Sequence, residues 1–205
     1  LNQRIEDDTS IVVFSLQGQT YELVLPCVGT HHIFNALCAL MAVSALGLEL
    51  APSIEALSRF ELPAMRGQRF AISDGVEVSL DCYNANPQSM RAAIDAHMQR
   101  GAAGAILVLG DMLELGTHSQ SAHVSLGHYI KQHYPDVTVI AVGEEMRHLF
   151  SILDTETPQG VNVLWTENAS QATQALKAML ESNMNILIKG SRGLKLETIW
   201  HQLQN

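Results

Sequence analysis

The chain has 205 residues, 47% of them apolar, and a net charge of −9 at neutral pH. That length and apolar content admit one large domain or two small ones with real cores, and they exclude a disordered chain. With only twelve Lys and Arg residues, the charge argues against a general nucleic-acid surface or an anionic membrane as partner.

In chain order, two β-prone runs come first, 11–16 (IVVFSL) and 20–25 (TYELVL), separated by Gln17-Gly18-Gln19. They predict a hairpin. Pro26 ends it, and Gly29-Thr30 lead into a helix carried by Ile33, Leu37, Leu40 and Met41, which Gly47 should stop. A short helix from Ser53 to about Phe60 follows Pro52. Residues 61–68 (ELPAMRGQ) have no periodicity and read as a linker, so we divide the chain into 1–62 and 63–205. Beyond the linker, strand-like runs at 76–80, 104–109, 137–142, 161–165 and 185–188 alternate with helical patterns at about 87–100, 118–133, 144–153, 168–182 and 193–203. This is α/β grammar: a Rossmann-like parallel sheet with helices on its faces.

Three loops at strand ends could carry chemistry. Asp81-Cys82-Tyr83-Asn84-Ala85-Asn86-Pro87 follows the first strand of the second domain. It is either part of the ligand edge of the sheet or a turn rich in capping residues. Gly110-Asp111-Met112-Leu113-Glu114-Leu115-Gly116 follows the next strand, and Asp111 either meets a ligand or satisfies loop amides. Lys189-Gly190-Ser191-Arg192-Gly193 follows the last strand and is read as opening the last helix. Its glycines, cations and helix N-terminal amides favour a carboxylate or phosphate pocket over a solvated loop.

Other features are weaker. His118, His123, His128 and His133 recur every five residues, a step of about 140° that puts them on different helix faces, so no metal site is expected there. His31-His32 reads as a polar cap at a helix start. The three cysteines, Cys27, Cys38 and Cys82, form no CxxC pair, as expected of a reduced, cytoplasmic protein. No apolar run reaches the ~18 residues of a membrane span, and no signal-peptide pattern opens the chain. It starts at Leu1 rather than Met, so a piece of a longer chain is expected. Neither GxxxxGK[ST] nor GxGxxG is present.

Together, Gly29-x-His31-x-x-x-Asn35-Ala36-Leu37, Asp81-x-Tyr83-Asn84-Ala85-Asn86-Pro87-x-Ser89-Met90, Gly110-Asp111-Met112-Leu113-Glu114-Leu115-Gly116, His123-x-x-x-Gly127 and Lys189-Gly190-Ser191-Arg192-Gly193 resemble the Mur ligase family. Within it they resemble the members that add D-alanyl-D-alanine to UDP-N-acetylmuramoyl-tripeptide. The resemblance implies the tail of a central ATPase domain (hairpin plus helices, 1–62) followed by a C-terminal domain (63–205). It implies ATP-driven amide formation through an acyl phosphate in peptidoglycan precursor synthesis, with ATP and Mg²⁺ as cofactors and the metal ligands mainly in a part of the family's chain that this sequence lacks. A cytoplasmic monomer is implied, and these 205 residues alone should be inactive without a P-loop.

By resemblance, Asn35 would touch the adenine with His31 nearby, Asp81 would hold the ribose hydroxyls, and Asn84 and Asn86 would shape the nucleotide side. Arg66, or alternatively Arg69, would be the hinge arginine that reaches the γ-phosphate. Lys189, Ser191 and Arg192 would line the dipeptide site, with Arg66 and Lys189 as the catalytic candidates. The sequence departs from the family pattern at His32 (usually Asn), Leu80 (usually Asp) and Cys82 (often Ser). These departures motivate the alternative of a non-catalytic binding module derived from such a ligase.

Overall fold

The computed structural model describes residues 2–6, 9–101, 104–154 and 161–204. The chain divides into two units, Leu1–Leu62 and Pro63–Asn205.

The first unit contains an antiparallel sheet of β1 (Asn2–Glu6), β2 (Thr9–Leu16) and β3 (Gln19–Leu25), in that order. The expected hairpin is β2–β3. Its turn places Gln17 and Gly18 at φ 51° and 80°, the left-handed pair that matches strand twist. Period-two alternation buries Val12 and Phe14 on β2 and Leu23 and Leu25 on β3. Helix α1 (Thr30–Ala45) packs Ile33, Ala36 and Leu40 into the same cluster. Gly47 ends α1 as predicted, at φ 71° with its N–H on the Ser44 carbonyl. Helix α2 (Ala51–Ser58) takes Pro52 into its first turn rather than starting after it, where the missing N–H costs nothing. Strand β1 went unpredicted because all five of its residues are exposed and show no apolar alternation.

The second unit is built on a six-stranded sheet in the order β4-β5-β9-β6-β7-β8. Its strands are β4 (Gln68–Ala71), β5 (Glu77–Asp81), β6 (Ala105–Gly110), β7 (Thr138–Val142), β8 (Asn162–Thr166) and β9 (Asn185–Lys189). The parallel sheet holds for β5 to β9. It needs one correction: β4 pairs antiparallel with β5 at the edge. The expected linker therefore ends before Gln68, and it is already tied to β5 by Gly67 N–H to the Leu80 carbonyl. Four edge residues are too few to show a strand period.

Helices α3 (Pro87–Met98), α4 (Ser119–His133) and α5 (Met146–Leu153) cover one face, meeting Leu107, Leu109, Val139 and Leu187. Helices α6 (Ala169–Met179) and α7 (Glu197–Leu203) cover the other, meeting Val78, Leu80, Ile106, Val108 and Ile188. The chain winds outward from β5 to β8 with helices on the first face and returns to β9 on the second. Because β9 inserts beside β5, their exits leave toward opposite faces, which opens a crevice at their carboxyl ends. On the first face His97 is 2% exposed, and its Nε2–H donates to the Asn185 carbonyl at 3.2 Å. Burial pushes the imidazole down to about 4.

Candidate functional site

The three strand-end loops meet at that crevice. Asp81 and Lys189 are register partners on β5 and β9. Both follow the side-chain parity that points to the α3 face. The Lys189 Nζ donates to Asp81 Oδ2 at 2.8 Å, to the Asn84 carbonyl at 3.1 Å and to the Asp81 carbonyl at 3.5 Å. The lysine side chain is 1% exposed and the aspartate 21%. Lys189 therefore forms the floor of the crevice, while Asp81 keeps Oδ1 outside any described hydrogen bond.

Leu80 points the other way, 4% exposed in the core beneath α7. A carboxylate there would lie on the opposite side of the sheet from Asp81, so the departure at this position leaves the Asp81 side of the crevice untouched.

The 81–87 loop is both things the sequence allowed. Its beginning is the ion pair; its end is a capped turn. Asn86 is the N-cap of α3, accepting the Ser89 N–H at 2.8 Å while Ser89 Oγ accepts the Asn86 N–H at 3.0 Å. Asn86 Oδ1 is thus committed to the helix. Asn86→Ala should cost about 1 kcal/mol of stability, measured by urea unfolding; a cost below a few tenths would show that the cap contributes nothing. Asn84 accepts the Ala85 N–H through Oδ1 and leaves its amide NH₂ outward.

Cys82 is fully buried, with its thiol directed at Glu197 Oε2 3.9 Å away. Burial first, then the Glu197 and Asp81 carboxylates, push the thiol up to about 12. Alkylation by iodoacetamide at neutral pH should label the exposed Cys38 and spare Cys82 in the folded chain. Equal labelling of the two would contradict this packing.

The loop after β6 is held internally. Asp111 is 6% exposed, and its Oδ1 accepts the Met146 N–H at 2.8 Å at the start of α5. Burial raises its carboxyl above the ordinary value, opposed by that N–H. Of the two readings the sequence allowed, the structure shows backbone satisfaction through Oδ1, at the first residue of α5. Gly143 makes room for it, at φ 110°, where a Cβ would lie 2.4 Å from Asp111 Oδ2. His123 is fully buried; its Nδ1–H donates to the Ser119 carbonyl at 2.8 Å and its Nε2 accepts the Met112 N–H at 3.1 Å. One tautomer thereby pins the 111–115 loop.

The basic loop departs from expectation in one respect. It opens a short 3₁₀ turn (Arg192–Leu194), and α7 starts only at Glu197, after Lys195 at φ 52°. The residues carry charge without the N-terminus of an α-helix. Ser191 is 5% exposed, and its Oγ accepts the Leu113 N–H at 2.9 Å. Gly190 presses against Gly110: a Cβ on Gly190 would lie 2.9 Å from the Gly110 Cα and 2.6 Å from Leu196 Cδ1.

Arg66 and Arg192 are both exposed and both lie over Tyr83, 4.3 and 5.7 Å from the ring centroid. The alternative arginine, Arg69, pairs with Glu77. Tyr83 had no role in the sequence reading beyond its place in the motif. His31 and Asn35 belong to the first unit, in the first two turns of α1, with Asn35 exposed. The His31 and His32 rings lie 4.0 Å apart between centroids. The structure thus brings together Arg66, Asp81, Asn84, Lys189, Ser191 and Arg192 in the second unit.

Among the described residues no three His, Cys, Asp or Glu side chains converge as a metal site, and no helix is long and apolar enough to cross a membrane.

A mostly parallel sheet with helices on both faces and its polar loops gathered at one edge defines an α/β domain of the Rossmann-like kind. The family described as "Mur ligase, glutamate ligase domain" matches residues 65–192, and the chain belongs to the Mur ligase family. Its relatives include the UDP-N-acetylmuramoyl-tripeptide–D-alanyl-D-alanine ligases of Rickettsia prowazekii (30% identical, 91% of this chain, 40% of the relative) and Escherichia coli (32%, 93% and 41%). MurF from Acinetobacter baumannii superposes with a TM-score of 0.85 at 25% identity, over 98% of this chain and 43% of that one. The fold is shared with MurF from Thermotoga maritima in complex with ADP (TM-score 0.79, 18% identity, 100% and 45%). The chain spans about two-fifths of the length of the curated relatives it matches.

Proposed function

We propose that this chain is the tail of an ATPase domain (1–62) and the C-terminal domain (63–205) of a cytoplasmic ATP-dependent ligase. That ligase would join D-alanyl-D-alanine to UDP-N-acetylmuramoyl-tripeptide for peptidoglycan. The carrying observation is the crevice itself: an aspartate with one oxygen bound by a buried lysine and the other outside any described hydrogen bond, in the same unit as exposed arginines, on a fold shared with such ligases.

The residues fit a nucleotide's sugar better than its metal. Asp81 Oδ1 can accept from a ribose hydroxyl, and the Asn84 amide can donate beside it; Asn86 would act by holding the loop. His31 and Asn35 are assigned to the adenine side. Mg²⁺ would take its ligands mainly from the parent chain outside these residues. ATP would supply the phosphoryl group that makes the tripeptide carboxylate electrophilic. Lys189, buried, would serve by fixing Asp81 and the Asn84 carbonyl, while Arg66 and Arg192 would meet anionic groups and Ser191 would hold the loop beside them.

Phosphate release from ATP with both substrates tests the reading. The parent enzyme should turn over and these 205 residues alone should not; robust turnover by the short chain would overturn it. In the parent, Asp81→Ala should raise the KM for ATP about tenfold, the loss of one or two hydrogen bonds to a charged acceptor. An unchanged KM would remove Asp81 from the nucleotide site.

A further inference from the structure

Arg66, Tyr83 and Arg192 come from three separate segments: the stretch before β4, the loop after β5 and the 3₁₀ turn after β9. The structure stacks them. Both guanidiniums fall within the ~6 Å over which an aromatic face attracts a cation, at 4.3 and 5.7 Å. The ring is held by its own backbone, since the Tyr83 N–H donates to the Met65 carbonyl at 3.2 Å. Arg192 is steadied from the same residue, with Nη1 3.2 Å from Met65 Sδ.

What sets these two arginines apart is that they share one ring and neither has an acid; Arg91 also lacks one, but it lies alone over Tyr129 and is held by Ser125. Arg4, Arg59, Arg69 and Arg147 each pair with a glutamate. Among the described residues, no carboxylate lies within ion-pair reach of Arg66 or Arg192, although the chain carries 21 acidic residues. Two like charges gathered at one place repel each other, and the electron-rich ring face offsets only part of that. A bound anion would complete the compensation, and a guanidinium fork is shaped to hold a carboxylate or phosphoryl group through two parallel hydrogen bonds.

We propose that Arg66, Tyr83 and Arg192 form one oxyanion clamp, in which Tyr83 is the positioning residue and both guanidiniums bind the same carboxylate or phosphoryl group. This rests on the reading that the crevice faces substrate, and it joins into one site two arginines that the resemblance assigns to different ligands. Tyr83 acts through its ring face, so Phe can replace it and an aliphatic residue cannot. The clamp lies wholly within the second unit.

Calorimetric titration of the 205-residue chain tests this, with inorganic pyrophosphate, D-alanyl-D-alanine and the C-terminal amide of that dipeptide as probes. One anion should bind per chain. Arg66→Gln and Arg192→Gln should each weaken the binding of the same probe about tenfold. Tyr83→Leu should weaken it about two- to fivefold for each cation–π interaction it removes, and Tyr83→Phe should restore it to within about twofold. Binding unaffected by Tyr83→Leu, two anions each abolished by a different arginine substitution, or no oxyanion bound at all would overturn the clamp. Should Tyr83→Leu fail to fold, the stoichiometry and the two arginine variants decide. Pyrophosphate binding with this Tyr83 dependence, but no preference for the dipeptide over its amide, would uphold the clamp and count against the dipeptide-ligase reading. Dipeptide binding indifferent to both arginines would do the reverse.

Discussion

Lys189→Met is expected to lower the unfolding free energy by about 3 kcal/mol, the lower end of what breaking a buried ion pair costs. The lower end applies because Asp81 retains 21% side-chain exposure and part of its hydration, while Lys189 retains 1%. Methionine keeps the volume of the lysine stem, so the loss comes from the charge and its bonds rather than from a cavity. The Asn84 carbonyl and Asp81 Oδ2 would both lose their donor. Urea unfolding of the four chains in a cycle with Asp81→Asn should show the double variant recovering part of the loss, because no buried charge is then left unpaired. A cost for Lys189→Met below about 1 kcal/mol, the range of exposed pairs, would place the ammonium in water. In the ligase proposed above, the same substitution should act through Asp81 and raise the KM for ATP before it affects the dipeptide.

The second large effect is acid sensitivity arising from His97. Its imidazole titrates at about 4 in the folded chain against 6.5 in the ordinary case, chiefly because it is buried. The Nε2–H is engaged with the Asn185 carbonyl, and Nδ1 is buried without a hydrogen-bond partner among the described residues. Protonation would thus bury a positive charge with no acceptor. Between pH 6.5 and 4 the unfolded chain binds more protons than the folded one, so stability falls as pH falls through this window and levels off for this group below about 4. The full effect is about 3 kcal/mol, at 1.36 kcal/mol per pH unit. His97→Gln keeps a donor for Asn185 without the titration. Urea unfolding at pH 6.5 and 5 should show the unsubstituted chain losing about 2 kcal/mol more than the variant. Parallel losses in the two would assign the acid sensitivity elsewhere.

Much of the second unit was legible in the sequence because its strands are short, apolar and buried on both faces, as β6 shows with all six residues buried. Strands β1 and β4 were not legible. One is wholly exposed and the other is four residues at an edge, so neither carries a burial period. The loops were located correctly, but composition alone could not say which polar groups face outward. Asp111 and Asn86 are spent on helix N-termini, and Lys189 on the floor of the crevice. The Asp111 and Lys189 assignments depend on partners distant in sequence, whereas Asn86 is committed to Ser89 only three residues on. Strand parity from Leu80 to Asp81 was readable and explains why a hydrophobic residue is accommodated beside the aspartate. The left-handed Lys195, which ends the 3₁₀ turn before α7, left no signal, because lysine seldom adopts that conformation.

The pressing of Gly110 against Gly190 bears on how this edge of the sheet could change by mutation. The contact is one-sided: a Cβ on Gly190 would meet the Gly110 backbone, with Cα at 2.9 Å and N at 3.2 Å, whereas a Cβ on Gly110 would crowd only the ends of the Leu196 and Leu194 side chains, at 2.8 and 3.1 Å. A library randomising the two codons should therefore tolerate change at them unequally. Survivors should all keep glycine at 190, while position 110 should admit a small side chain once position 196 is shortened. Position 110 is coupled to Leu196, position 190 is fixed by the backbone beside it, and variation in the loops at this edge must be sought on either side of them.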